Sequence, residues 1–362
     1  MKIDYICIGY HPIIGGTENL VKNLAEKMAQ KGHDVTVHTS MYNPNHLGRL
    51  SVYEIINGVK VRRYSLFPFY LFFPKIIEPQ IIHLFSYGDN FILQSFLHAS
   101  KCLVSSPIGE EIYAKHKIRN KFLGKHALRI SKIVFAMTSF EKNALNKFYG
   151  IPLDKIFILP GGVSQESFSS PNLNNVRKDF LGFNKKKYFT RLARVDRVKN
   201  LEFGIQLLKY FSDLEYVVIG PKDDIIYLKE LLELGKKLGV DDRIIFTGKV
   251  NEDEKRYLLH NSFFYLIANF ETFGISTLEA MAQNVPIIAP NIEEYKDILI
   301  DHVNSLIYEY NSIESCIKTV KLMSEDNLLR LRLGENGKNL VKDKFVWDHI
   351  ANVLERVYKD IC

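Results

Sequence analysis

The chain alternates between short apolar runs and amphipathic stretches. Residues 3–9, IDYICIG, form an apolar run that ends in a loop carrying Pro12, Gly15 and Gly16, and this reads as a buried strand. Residues 17–32, TENLVKNLAEKMAQKG, place Leu20, Val21, Leu24 and Met28 on one helical face. Thr17 suits the start of that helix and Gly32 its stop. A second strand follows at 34–40, DVTVHTS. Strand, helix and strand in this order begin a parallel sheet.

The same alternation returns near residue 187 with greater regularity. Strands are expected at 187–193, 215–220, 243–248, 263–268 and 285–290, with helical patterns between them. The stretch ILPGGVSQESFSSPNLNN, 158–175, is rich in Gly, Ser, Pro and Asn and reads as the linker. The fold class is therefore α/β: two doubly wound, Rossmann-like domains in succession, facing each other across a cleft where ligands bind. The first domain is expected over 1–160 and the second over 161–344, with a terminal helix over 345–362.

A length of 362 residues agrees with two domains, and 46% hydrophobic with 25% charged residues excludes a disordered or low-complexity chain. The opening MKIDYICIGY is too short for a signal-peptide core. The greasiest run, LFPFYLFFP at 66–74, is interrupted by proline and cannot span a bilayer. Cys7, Cys102, Cys316 and Cys362 have no metal or redox spacing and read as free thiols in a reducing compartment. The expectation is a cytoplasmic protein, with room for a peripheral place on the inner face of the membrane. Charge is uneven: residues 1–160 hold 20 Lys and Arg against 11 Asp and Glu, the remainder 28 against 30. Two halves of different charge point to different partners.

Candidate chemistry concentrates at the ends of strands. In ETFGISTLE, 271–279, Glu271 and Glu279 flank Thr272, Phe273, Gly274 and Ile275. A helix opening near Ile275 offers free N–H groups to an anion, Gly274 lets a ligand approach the backbone, and a carboxylate can accept two hydroxyl hydrogens from a sugar diol. The alternative is a capping box from Ser276 to Glu279 that needs no ligand. In LARVDRVKN, 192–200, Arg194 and Lys199 sit across a strand-to-helix turn, where two cations suit a diphosphate; solvated surface charge is the alternative. Gly15 and Gly16 precede the first helix in HPIIGGTE, again a geometry that favours anions, or simply a tight turn.

Together these motifs resemble one family, the retaining, GT-B-fold nucleotide-sugar glycosyltransferases of glycosyltransferase family 4. The resemblance runs over nearly the whole chain: GGTENLVKNLAEKMAQKGHDVTVHT, ILPGGVSQESF, LARVDRVKN, FTGKVNEDE, ETFGISTLEAMAQNVPIIAP and the closing FVWDHIANVLERVY. It implies that the first domain faces the acceptor and the second binds the donor, a nucleoside diphosphate sugar. It further implies that Glu271 contacts donor-sugar hydroxyls and Glu279 the ribose. The backbone from Thr272 to Ile275 would meet sugar and phosphates, Arg194 and Lys199 would neutralise the leaving diphosphate, and Gly16 beside Gly15 would add an N–H. Backbone groups near Lys249 and Val250 would hold the base. No metal and no other cofactor is implied, because cations and helix dipoles do that work.

The match has departures. Ala193 stands where the family usually has Gly, Ile292-Glu293-Glu294 replaces a Gly-rich turn, and Ser305 replaces Gly. A histidine common in the first domain of relatives is absent from CLVSSPIGEE, 102–111, where Ile108 or a neighbour takes its place; His83 and His11 read as structural. A dinucleotide oxidoreductase is excluded by the missing G-x-G-x-x-G in CIGYHPIIGG. A non-catalytic nucleotide-sugar-binding protein of the same fold is the alternative function. Nucleic acid is not an expected partner, since the basic residues follow no known module. The expected acceptor is a glycan or glycolipid. The basic stretch 113–132, with Lys115, Lys117, Arg119, Lys121, Lys125, Arg129 and Lys132 among Phe122, Leu123, Leu128 and Ile130, suits an anionic membrane surface, and the run 64–74 could add an aromatic anchor.

Overall fold

The computed structural model describes residues 1–362 other than Ile14, 42–49, 66–70, 72–73, 75, 77–78, 86–88, 100–101, 108–117, 183–186, Thr272 and Cys362. The chain forms two units, Met1–Gly162 with Trp347–Cys362, and Val163–Val346.

The first unit is built on a sheet of strands β1 (Lys2–Ile6), β2 (Asp34–Ser40), β3 (Tyr53–Ile56), β4 (Val59–Tyr64), β5 (Ile81–Phe85), β6 (Leu103–Ser106), β7 (Ile133–Ala136) and β8 (Ile156–Ile158). Their order is β3-β4-β2-β1-β5-β6-β7-β8, parallel apart from the β3–β4 edge hairpin. Helix Gly16–Gln30 buries Leu20, Val21, Leu24, Ala25 and Met28, the stripe its sequence repeats every three to four residues. It starts at Gly15 without a side-chain cap, so Thr17 is not the N-cap: it lies inside the first turn. The terminal helix Trp347–Ile361 belongs to this unit, burying Ile350, Ala351, Leu354 and Tyr358. Lys27–Asp348 at 2.7 Å and Lys31–Glu355 at 2.8 Å tie it to the first helix.

His83 is structural. It is fully buried, its Nδ1 hydrogen-bonded to the Tyr358 hydroxyl at 2.5 Å and its Nε2 to Ser106 Oγ at 2.7 Å. Burial pushes its pKa down to about 3, so it stays neutral. The basic stretch forms helix Ile118–Ile130, but Ala127 and Leu128 are fully buried and Ile130 packs against the core, while Leu123 and Arg129 face outward. Leu128 and Ile130 are therefore no part of an outward apolar face, because the sheet beneath claims them. Residues 113–117, most of the aromatic run 64–74, and Ile108 lie outside the described residues.

The second unit carries β9 (Lys187–Leu192), β10 (Leu214–Ile219), β11 (Ile244–Phe246), β12 (Phe264–Leu266), β13 (Ile287–Pro290) and β14 (Ser305–Tyr308), all parallel in the order β11-β10-β9-β12-β13-β14. Strands buried on both faces need near-continuous apolar sequence, which is what the runs at 215–220, 263–268 and 285–290 supply. Phe189 stacks on Tyr216 at 4.6 Å and on Phe264 at 4.9 Å, pinning three adjacent strands. Truncating Phe189 to Ala would open a core cavity costing about 3–5 kcal/mol. The strand order reverses between β9 and β12, and in such sheets the crevice at that reversal, beyond the carboxyl ends of the strands, is where ligands bind. Among the described residues no helix is long and apolar enough to cross a membrane.

Candidate active site

Two loops meet at that reversal. After β9 the chain passes Ala193 and Arg194 to Asp196, whose Oδ1 accepts from the Val198 N–H at 3.1 Å and opens a single 3-10 turn, Arg197–Lys199. Asn200 then adopts φ +49°, a left-handed conformation that Asn tolerates better than most residues. Its side chain donates to the Ala268 carbonyl at 2.8 Å and so ties this loop to the one after β12. That second loop runs through Asn269 and Glu271 to Gly274, where helix Ile275–Ala282 begins. Thr272 lies outside the described residues.

The tie brings Lys199 to Glu271, with Lys199 Nζ donating to Glu271 Oε1 at 2.8 Å. Arg191 Nη2 donates to the same oxygen at 2.5 Å. Arg191, the next-to-last residue of β9, is only 1% exposed, and also donates to the Tyr265 hydroxyl at 2.8 Å and to Asn269 Oδ1 at 2.7 Å. Burial alone would push the Glu271 carboxyl up, but Arg191 and then Lys199 outweigh it and hold the group below its ordinary range. Among the described residues Glu271 Oε2 accepts no hydrogen bond.

Gly274 is the N-cap of the helix, at φ +74°, and no side chain caps it. A Cβ there would lie 3.1 Å from Thr277 Oγ1 and 3.2 Å from Glu271 Oε2, two buried oxygens without partners. Left-handed φ and this approach both call for glycine. The capping box from Ser276 to Glu279 does not form, because Gly274 takes the N-cap position and places Ser276 within the first turn. The Tyr265 hydroxyl donates to Ser276 Oγ at 3.1 Å, and Glu279 Oε1 accepts from Lys255 Nζ at 2.6 Å. Phe273 turns its ring inward, 4% exposed, beside Phe345. Ile275 is the first residue of the helix.

The remaining candidates are spread out. Arg194 is exposed and pairs with Asp196 at 2.8 Å rather than with Glu271. It borders an open cavity of about 550 Å³ with Asp196, Asp223, Asp224, Ile225 and Ile226. Lys249 is exposed and Val250 half-buried just beyond β11; the Lys249 carbonyl accepts from Arg177 Nη2 at 3.3 Å. In the first unit Gly15 is extended and Gly16, exposed, opens the helix. The Glu18 carboxylate fills the space beside Gly15, where a Cβ would come within 2.2 Å of Oε2. Among the described residues no group of three or more His, Cys, Asp or Glu is placed to hold a metal ion.

Sequence reasoning passed over Arg191, Lys255 and Asn200 as contributors to the site. Arg191 did leave a signal: a full charge in a strand expected to be buried is costly unless paired.

A parallel sheet whose strand order reverses at β9/β12 is the doubly wound fold in which ligands bind beyond the strand ends. The chain belongs to the GT-B glycosyltransferases of the family 4 type: Glycosyltransferase Family 4 matches residues 14–167 and Glycosyl transferases group 1 matches residues 172–340. An uncharacterized glycosyltransferase of Methanocaldococcus jannaschii is 25% identical over 99% of this chain and 98% of its own length. The sucrose-phosphate synthase of Thermosynechococcus elongatus superposes with a TM-score of 0.81 at 16% identity, covering 99% of this chain and 98% of that one. Anabaena HepE, solved in complex with UDP and glucose, gives 0.80 at 14% identity over 99% of this chain and 100% of its own. The mixed α/β architecture with two parallel-sheet units is that of GT-B enzymes.

Proposed function

We propose that this glycosyltransferase takes its sugar from a nucleoside diphosphate sugar and moves it to an acceptor hydroxyl with retention of configuration and without a metal ion. The observation that carries this reading is the Lys199–Glu271–Arg191 cluster beside the helix entrance at Gly274. Lys199 and Arg194 offer cations to a diphosphate, the helix N–H groups and dipole add to them, and Glu271 Oε2 is left to accept from a sugar hydroxyl. Glu279, now on Lys255, would accept from the ribose, and the backbone at Lys249 and Val250 would meet the base. HepE, which binds UDP, lends weight to a nucleotide-sugar donor.

In the transfer, the bond from the anomeric carbon to the diphosphate oxygen breaks as the bond to the acceptor oxygen forms on the same face. The acceptor proton passes to the departing diphosphate, so no enzyme nucleophile is needed. The acceptor in this reading is a glycan or glycolipid, and the outward residues of helix Ile118–Ile130 offer basic charge to an anionic surface.

Thermal-shift screening against UDP-, GDP- and ADP-sugars tests the donor, because a ligand at 100 times its dissociation constant adds about 2.7 kcal/mol of stability. Transfer assays with the responding donor then follow. Donor binding with neither transfer nor slow hydrolysis would favour the non-catalytic binder; no response to any sugar nucleotide would sink both readings.

A further inference from the structure

The reading just given assigns Arg191 no contact with the donor. It is the most deeply placed charge at the site and comes from a strand whose Tyr188 and Phe189 are fully buried. Its Nε has no partner, so it is a costly way to build a strand. What it does reach is specific. One nitrogen holds the Tyr265 hydroxyl, and the other holds Asn269 and Glu271 together.

Lys199 shares Glu271 Oε1 with Arg191, yet the two cations differ in freedom. The Lys199 side chain is 25% exposed on a flexible stem, whereas that of Arg191 is 2% exposed and locked by three partners. A diphosphate competes for Lys199 and cannot reach into β9 for Arg191. We propose that Arg191 is a positioning residue: it keeps Glu271 Oε2 aimed at the donor sugar when the diphosphate draws Lys199 away. The inference rests on the donor reading above.

The consequence is a site that exchanges one cation without losing its carboxylate. The charged and titratable groups facing Glu271 are Arg191 from β9, Lys199 from the following turn, Tyr265 from β12 and Tyr295 from the turn Glu293–Tyr295. With Lys199 on the phosphate, Arg191 is the one cation left in this set to oppose the upward push of burial on Glu271.

The test compares Arg191→Met, Arg191→Lys, Glu271→Gln and the double variant Arg191→Met/Glu271→Gln. Probes are the pairs UDP with UDP-glucose, GDP with GDP-mannose and ADP with ADP-glucose, using the pair that raises the wild-type melting temperature. Arg191→Met should bind the bare nucleoside diphosphate within about twofold of wild type but lose about tenfold in affinity for its sugar, the size of effect expected for a lost hydrogen bond to a charged group. The acid limb of its kcat/KM profile should rise by about one pH unit or more, and Arg191→Lys should restore part of that rise. In the Glu271→Gln background, Arg191→Met should add no more than about a twofold effect.

Arg191→Met with a lower melting temperature but an unmoved acid limb and unchanged preference for the sugar nucleotide would overturn the proposal. So would an undiminished loss in the Glu271→Gln background. If Arg191→Met does not fold, Arg191→Lys decides: an acid limb and sugar preference identical to wild type would overturn it, a smaller shift in the same direction would support it. Glu271→Gln with wild-type sugar binding would instead overturn the donor reading itself, and this inference with it.

Discussion

Glu141 in the first unit and Glu271 in the second are both largely shielded from water, and the two carboxyls are driven in opposite directions. Glu141, in the first turn of helix Ser139–Tyr149, is 1% exposed; its Oε2 accepts the Met137 N–H at 2.5 Å and its Oε1 has no partner. Burial pushes its pKa up to about 8, against the smaller pull of that hydrogen bond. Glu271 feels the same push, and Arg191 and Lys199 reverse it. The contrast separates two uses of one side chain. Burial by itself makes a proton-holding cap, with Thr138 Oγ1 accepting from the Glu141 N–H at 3.1 Å to complete the local pattern. Burial beside two cations makes a standing negative charge with one oxygen to spare, which the proposed function uses as a recognition element.

The contrast breaks first at Glu271. Glu271→Ala and Lys199→Ala should each lower kcat by about 10²–10³, equivalent to roughly 2.7–4 kcal/mol of barrier, with the fold kept. Near wild-type turnover under saturating donor in either variant would remove Glu271 from the site and leave it a structural acid like Glu141. Glu141 answers through stability. Between its ordinary 4.5 and about 8 the unfolded chain has released a proton that the native state keeps, so stability falls as pH rises through that window and the loss is complete above about 8. Glu141→Gln should flatten this slope and stabilise the protein at pH 9 by on the order of 1–3 kcal/mol, read from urea melts at several pH values. An unchanged slope would show that the proton resides elsewhere.

Gly274→Ala should cost about 1–2 kcal/mol for the left-handed backbone and, by crowding Glu271 Oε2, weaken donor binding more than it lowers melting temperature. A variant that melts early but binds donor normally would detach Gly274 from the carboxylate. The smallest expected effect is none: EDTA should leave the transfer rate unchanged, since in the proposed function the arginine and lysine charges serve the diphosphate. Activity lost to chelation and restored by Mg²⁺ or Mn²⁺ would overturn that.

The second sheet was legible because strands buried on both faces are mostly apolar. Expected strands at 187–193 and 215–220 appear as Lys187–Leu192 and Leu214–Ile219. Shorter ladders at β11, β12 and β13 arise where apolar sequence runs on past the paired backbone. The helix start at Ile275 was readable from glycine followed by hydroxyl residues. What could not be read was who holds whom. Ser276 and Glu279 have capping-box spacing, but spacing does not show that Gly274 turns left-handed, nor that Lys255, 24 positions earlier, reaches Glu279. Arg191 and Glu271 lie 80 residues apart and meet only because β9 and β12 are neighbours.

The Asn200 tether has a kinetic consequence. Its bond to the Ala268 carbonyl and the Lys199–Glu271 contact together fasten the turn carrying Lys199 to the loop carrying Glu271. Neither loop can fray without releasing the other, so their backbone amides should exchange with deuterium as one cooperative patch, at a common opening rate, instead of as two independently breathing segments. Asn200→Ala would leave the Lys199–Glu271 contact to hold the two loops, so the patch should open faster while each strand beneath stays protected.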